Sequence, residues 1–328
     1  MTVDLSVLDL AHIGEGETAA DSFTASVDMA QRAERWGYHR IWYAEHHNMP
    51  TIASSATSVL IGHVAAQTSR IRLGAGGIML PNHAPLTIAE QFGTLETLFP
   101  GRIDLGLGRA PGSDQRTMRA LRRDPTAADA FPQDVLELQG YLAGETRVSG
   151  VNATPGHGTR VPLYVLGSSM FGAQLAALLG LPYAFASHFA PDALEAATAH
   201  YRREFQPSAQ LSEPHVIAGV NVIAADTTED AEQQFLEAKR YRASRMLAQG
   251  RQLSTEELDA LLASPAGRQV ESMARYSAVG TPAEVDDYLA KFTKQAQADE
   301  LMVVSSAVDR AAWLRSLELL ADIRNLSS

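Results

Sequence analysis

Residues 40–50 read RIWYAEHHNMP. Arg40-Ile41-Trp42-Tyr43 is a short β-forming run that leads directly into two adjacent histidines and then a turn. In parallel α/β proteins the carboxyl ends of strands carry the reactive side chains. The stretch therefore predicts a strand with His46 and His47 at its working end, and the flanking segments decide what surrounds it.

Outward from this stretch, one strand-then-helix unit recurs. Upstream, residues 3–10 predict a first strand. Thr18 with Asp21 three residues later gives a capping-box helix start, Phe23, Val27, Ala30 and Ala33 recur at helical spacing, and Gly37 ends the run. The second strand is expected at 41–44 and its helix at 54–67. Further strands are expected at 71–76, 102–107, 161–166, 183–187, 216–224 and 301–304, each followed by helical periodicity. Pro85 opens one helix, and Thr281-Pro282-Ala283-Glu284 combines an N-cap, an N1 proline and an N3 glutamate. Residues 111–140 read as helical. Residues 227–276, helical and charged, are too long for a simple crossover and read as an insertion between strands 7 and 8. Eight such units predict a (β/α)8 TIM barrel spanning residues 1–328 as one domain. A doubly wound open sheet would show the same order of elements.

Composition narrows the function. In 328 residues, 45% hydrophobic and 20% charged side chains match an ordinary globular enzyme. Acidic residues outnumber basic ones by 38 to 27, and a net charge of -11 repels nucleic acid and anionic membrane, although a local basic pocket can still bind one anion. The absence of cysteine excludes disulfides, thiolate metal sites and a cysteine nucleophile. No window nears the roughly 20 apolar residues of a membrane span, the N-terminal segment lacks a signal-peptide pattern, and a cytoplasmic protein is expected.

Several strand ends could carry chemistry. The fourth ends Leu105-Gly106-Leu107-Gly108-Arg109-Ala110-Pro111-Gly112, but a dinucleotide fingerprint would need Gly or Ala where Pro111 stands. What remains is a small-residue strand end beside Arg109, whose guanidinium can clamp a phosphate; a surface arginine in a turn is the plain alternative. Gly167-Ser168-Ser169 opens a helix, where free N–H groups and two hydroxyls make an anion site, or where serine simply caps. Gly74, Gly76 and Gly77 clear side chains from the third strand end, which suits a flat ligand or merely a bend. His46 can act as base, hydrogen-bond donor or metal ligand. Strand alternation sends His46 and His47 to opposite faces, so they do not chelate one ion together, and the catalytic expectation falls on His46. Arg116, Arg119, Arg122 and Arg123 have helical spacing and read as a solvated face or a subunit contact.

Taken together, Trp42-Tyr43-Ala44-Glu45-His46-His47, Gly76-Gly77-Ile78-Met79-Leu80-Pro81, Ala89-Glu90-Gln91, Pro100-Gly101-Arg102-Ile103-Asp104 with the strand end up to Arg109, Gly167-Ser168-Ser169 and Gly180-Leu181-Pro182 resemble the bacterial luciferase-like flavin monooxygenases, and their small single-chain oxidoreductases in particular. The resemblance implies a TIM barrel that binds FMN at its carboxyl face, with reduced flavin supplied by a separate reductase and homodimers formed through the helices after strands two and three. It assigns the flavin phosphate to Arg109, Ser168 and Ser169 beside Gly167. It places a non-proline cis peptide against the flavin ring at Gly76-Gly77, and the active-site histidine at His46. The implied reaction passes through a C4a-hydroperoxide of reduced FMN and O2 and oxygenates a small organic substrate. Where luciferase proper has a reactive cysteine, this chain has Gly108, and His83 is offset by one position from the family's third-strand histidine.

Other readings stay open at this point. A deazaflavin-dependent hydride-transfer enzyme would use the same barrel. A metal-dependent barrel hydrolase could be built on Asp9, Glu45 and His46, although the expectation is that no metal is held. A non-enzymatic flavin-binding protein is the third.

Overall fold

The computed structural model describes residues 3–110, 114–248 and 250–326. Strands β1 (Asp4–Asp9), β2 (Arg40–Tyr43), β3 (Arg72–Met79), β4 (Ile103–Gly108), β5 (Leu163–Gly167), β6 (Tyr183–Phe185) and β7 (Val216–Ala224) lie side by side in sequence order, and β9 (Glu300–Ser305) sits between β7 and β1. Every ladder is parallel, and the β6–β7 pairing closes the ring into an eight-stranded barrel. The open-sheet alternative is thereby excluded.

One strand was not foreseen. β8 (Ser277–Gly280) pairs with Asn221–Ala224, the far half of β7, whereas β6 reaches only Val216–Ala218. The free edge of the longer β7 would leave buried backbone groups unpaired. Ser-Ala-Val-Gly satisfies them, but four small residues carry no strand pattern of their own.

Helices pack around the barrel: α1 (Ala19–Trp36), α2 (Thr57–Ala65), α3 (Pro85–Leu98), α4 (Gln115–Ala120), α5 (Phe131–Ala143), α6 (Met170–Leu179), α7 (Leu194–Glu204), α8 (Thr228–Leu247), α9 (Thr255–Ala263), α10 (Arg268–Met273), α11 (Pro282–Ala296) and α12 (Arg310–Arg324). The Thr18–Asp21 and Thr281–Glu284 capping boxes both form, and Gly37 closes α1 at φ 87°, a left-handed angle that favours glycine. α2 begins three residues later than the expected 54, because Ser54 is buried with its hydroxyl on the Ala44 carbonyl. The expected helix at 111–140 is instead α4, a 3₁₀ segment (Pro125–Ala130) and α5, while 111–113 lie outside the described residues. α4 ends at Ala120 and Arg122 takes φ 56°, so the four arginines do not share one helical face. The insertion after β7 comprises α8, α9 and α10.

The barrel interior divides along its axis. At the amino end a buried ionic network fills it: Arg40 donates to Asp104 (2.8 Å) and Glu300 (3.1 Å), Arg72 donates to Asp104 (2.5 Å), and Trp42 Nε1 reaches the same carboxylate (3.2 Å). Although burial pushes Glu300 upward, bonds from His215 and Ser6 and the charge of Arg40 hold it at about 2. Above this network lies a small apolar layer of Leu8, Trp42, Ala44, Tyr164, Ala184, Ile217 and Met302. That layer is the floor of the functional cavity.

Candidate active site

The cavity, about 820 Å³, opens at the carboxyl ends of the strands and has a largely apolar wall. Its polar groups enter from separate strand ends, as barrel geometry requires.

The ends of β2 and β3 are tied together by Glu45. Its backbone N–H donates to the Gly77 carbonyl (3.1 Å), and its buried carboxylate accepts from Met79 N (3.0 Å), His47 Nε2 (2.7 Å) and His83 Nε2 (2.9 Å). Burial raises its pKa, but the bonds from His83, His47 and Met79 prevail and hold it below the usual glutamate range. The Gly76–Gly77 peptide bond is cis, and the β3–β4 register is irregular between Ala75 and Ile78. A Cβ at Gly76 would meet Trp42 Cβ at 2.8 Å, and one at Gly77 would meet the Gly106 carbonyl oxygen at 2.7 Å, so both glycines are required by close approach.

The two histidines part as strand alternation predicts. His47 turns to Glu45, and His46 lines the cavity. Burial holds the His46 imidazole below its usual pKa, and the nearby Ala44 carbonyl and Glu45 offset this only in part. Its Nδ1 is buried and, among the described residues, has no hydrogen-bond partner of good geometry.

Across the cavity, the Arg109 guanidinium stacks on the Phe171 ring at 4.2 Å. Among the described residues it has no carboxylate partner. Beside it Ser169 is the N-cap of α6, yet its hydroxyl makes no capping bond, so the first-turn N–H groups and that hydroxyl are unspent. Gly167, Ser168 and Ser169 all line the cavity together with Arg109, His46 and Gly76. Gly77 does not; it lies behind, packed on Gly106.

The trio Asp9, Glu45 and His46 does not converge. The Asp9 carboxylate accepts from Ser26 Oγ (2.6 Å) and Ala11 N (2.7 Å), whereas Glu45 faces His47 and His83. Glu45, His47 and His83 do bring potential ligand atoms within 4.8 Å of one another. Both imidazole Nε2 atoms are already engaged with the carboxylate, an arrangement that clamps strand ends.

The segments 187–191 and 227–276, expected from the sequence to help build the pocket, contribute wall residues that it did not single out, among them His188 after β6 and Tyr241, Arg242 and Arg245 from α8. With Ala238, the α8 residues recur at the three-and-four spacing of one helical face, which is the signal that could have marked them. His12 after β1 bonds Tyr241 Oη at 2.8 Å and ties α8 over the mouth. Burial, aided by Arg242, pushes His188 down to about 3.

The chain is similar to known proteins along its length. Residues 3–300 match the family described as luciferase-like monooxygenase. A protein of Escherichia coli (strain K12) named luciferase-like monooxygenase is 50% identical over 328 residues, covering 98% of this chain and 97% of that one. The N-acetyl-S-alkylcysteine monooxygenase of Bacillus subtilis is 37% identical over 271 residues, 79% of each chain. The crystal structure of apo-MsnO8 superposes with a TM-score of 0.90 at 35% identity and covers 99% of both chains. A closed parallel barrel with an apolar cavity at its carboxyl end, matched over nearly all its length by these sequences, is that of an oxidoreductase, and the chain belongs to the luciferase-like monooxygenase family.

Proposed function

We propose that the protein is an FMN-dependent monooxygenase that inserts one atom of O2 into a small organic molecule. The observation that carries this reading is Arg109, without a carboxylate partner among the described residues, stacked on Phe171 beside the uncapped start of α6 in a cavity that His46 also lines. A phosphate needs such a fixed cation and free N–H donors, and a flat ring system needs a wall free of side chains, as at Gly76. When bound, reduced FMN supplies the electrons for O2 activation.

The chain's own residues supply position and dryness. Arg109, Ser168 and Ser169 bind the phosphate, and Gly167 lets it approach the backbone. Gly76 presents a wall without a side chain to the ring, and Gly77 behind it is held through its carbonyl by Glu45 N. Leu8, Trp42, Ile217 and Met302 exclude water from the floor. His46, whose pKa burial lowers, orients the substrate or takes its proton at the edge of the ring that lines the cavity.

The family resemblance further supports delivery of reduced flavin by a separate reductase and pairing of two copies through α2 and α3, where Val59 and Leu98 stand exposed. It supports a cytoplasmic setting as well, and among the described residues no helix is long and apolar enough to cross a membrane. The deciding experiment is a titration with FMN, riboflavin and the deazaflavin coenzyme, each oxidised and reduced, followed by mixing with O2. Tight binding that requires the phosphate, with slowed decay of the oxygenated flavin signal, supports the reading. Preference for the deazaflavin without O2 reactivity defeats it.

A further inference from the structure

The α8 helix lays one face over the mouth of the cavity. Tyr241 is bonded to His12, which follows β1, and β1 lies across the barrel from β5, where Ser168 and Ser169 sit. Arg242, the next residue, lines the cavity near His188 at the end of β6. Among the described residues Arg242 makes no hydrogen bond and no ion pair. This is unlike the other tucked-in arginines. Arg40 is held by Asp104 and Glu300, Arg310 by Glu17, Arg324 by Asp286, and Arg102 by the carbonyls of Ala65, Thr68 and Ile71.

A cation kept in a low-dielectric wall without a counter-charge is unfavourable, and burial lowers the pKa of Arg242 accordingly. The adjacent His188 does not relieve it. Its ring has a buried, unpartnered Nδ1, and it packs where a Cβ on Gly219 would come within 2.4 Å, so it cannot swing away toward that strand. Arg245, one turn further along α8 and exposed, adds a second guanidinium that makes no ion pair among the described residues. Of the acidic residues that line the cavity, Glu17 is held by Arg310, Asp9 by Ser26 and Ala11 N, Asp309 caps α12, and Glu15 is exposed. The cavity thus keeps positive charge that the phosphate-type cluster does not explain, in a space lined also by apolar Ile217, Met302 and Phe189.

We infer that Arg242, supported by Arg245, is the anchor for an oxyanion on the organic substrate, so that the molecule oxygenated here is an organic carboxylate or sulfonate with an apolar body. The inference rests on the proposed function for the word substrate, but the binding site itself does not require turnover. The anion pairs with Arg242, and the apolar body points down the cavity toward Trp42 and His46.

The test is calorimetric titration of the protein, with and without FMN, using butanoate, hexanoate and octanoate against their neutral amides. The same set is run on Arg242→Met and Arg242→Lys. For at least one chain length the acid binds wild type about tenfold or more tighter than its amide, the preference disappears in Arg242→Met while FMN affinity stays within about twofold, and Arg242→Lys keeps part of it. Three results overturn the inference: no acid preference at any length, an acid preference that survives Arg242→Met, or loss of FMN affinity in Arg242→Met, which assigns this cation to the flavin phosphate. Failure of flavin binding or of oxygenation with acid preference intact counts against the proposed function and leaves the anion site standing.

Discussion

The backbone N–H of Glu45 donates to the carbonyl of Gly77 at 3.1 Å, and the carboxylate of the same residue receives Met79 N two residues further on. One buried side chain and its own backbone therefore lock the ends of two neighbouring strands, one carrying His46 and the other the bare Gly76–Gly77 peptide. The catalytic expectation and the flavin-wall expectation, which arise from separate motifs, share this single support.

Glu45→Ala leaves several donors without an acceptor in a buried setting, and we expect a loss of about 2–4 kcal/mol in urea unfolding. Because the folded-state pKa of Glu45 is depressed, its contribution is full above the ordinary glutamate range and fades as pH falls through the depressed value. The difference between wild type and variant should therefore narrow in acid. A gap that is constant from neutral pH down to pH 3 would show that the charge of Glu45 is not what holds the strand ends.

Gly76→Ala and Gly77→Ala both bring a methyl against atoms that cannot easily yield. At Gly76 it meets Cβ of the buried Trp42 at 2.8 Å, and at Gly77 it meets the Gly106 carbonyl oxygen at 2.7 Å. Each should destabilise by about 1–3 kcal/mol relative to wild type. A melting temperature unchanged from wild type in either variant would contradict this geometry.

Removing the cation at Arg109 tests the phosphate cluster. Arg109→Ala is expected to raise the FMN dissociation constant about 10- to 100-fold, with little change for riboflavin, since a charge-assisted contact contributes about 1.5–3 kcal/mol. Phe171→Leu removes only the stacking support and should raise it by about 2- to 5-fold. Parallel losses for FMN and riboflavin would place the phosphate elsewhere.

His46→Gln should lower turnover by about 10²-fold or more while flavin affinity is retained. Burial depresses the His46 pKa, so the neutral ring forms as pH rises through a value below the ordinary histidine range. Wild-type turnover should therefore climb on the acid side and reach its plateau before neutrality, and the variant should lose that limb. A variant with an unchanged pH profile and rate removes His46 from the chemistry.

Much of this arrangement is legible without coordinates, because it depends on short-range patterns. The Thr18–Asp21 and Thr281–Glu284 boxes, the Val216–Ala224 run and the glycine closing α1 are local rules that the chain obeys in place. The separation of His46 from His47 agrees with the expected alternation, although both lie beyond Tyr43, the last residue of β2, and His47 is drawn away by Glu45. β8 was hidden because its reason to exist is the free edge of β7, a property of another segment. Glu45 was visible as a residue but not as a clamp, since its partners His83 and Met79 lie 38 and 34 residues away.

By itself the sequence determined the order of strand-helix units, which strand ends carry histidine, glycine, arginine and serine, and the family those motifs resemble. Only the tertiary structure decided that the ring closes through β6–β7 and β9–β1, that Arg40, Asp104 and Glu300 plug its amino end, and that α8 turns Arg242 into the cavity. The physical reason is range. Capping, alternation and helical period act within a few residues, whereas closure, charge pairing and a cavity wall join groups far apart in the chain, and their partners exist only once the barrel has formed.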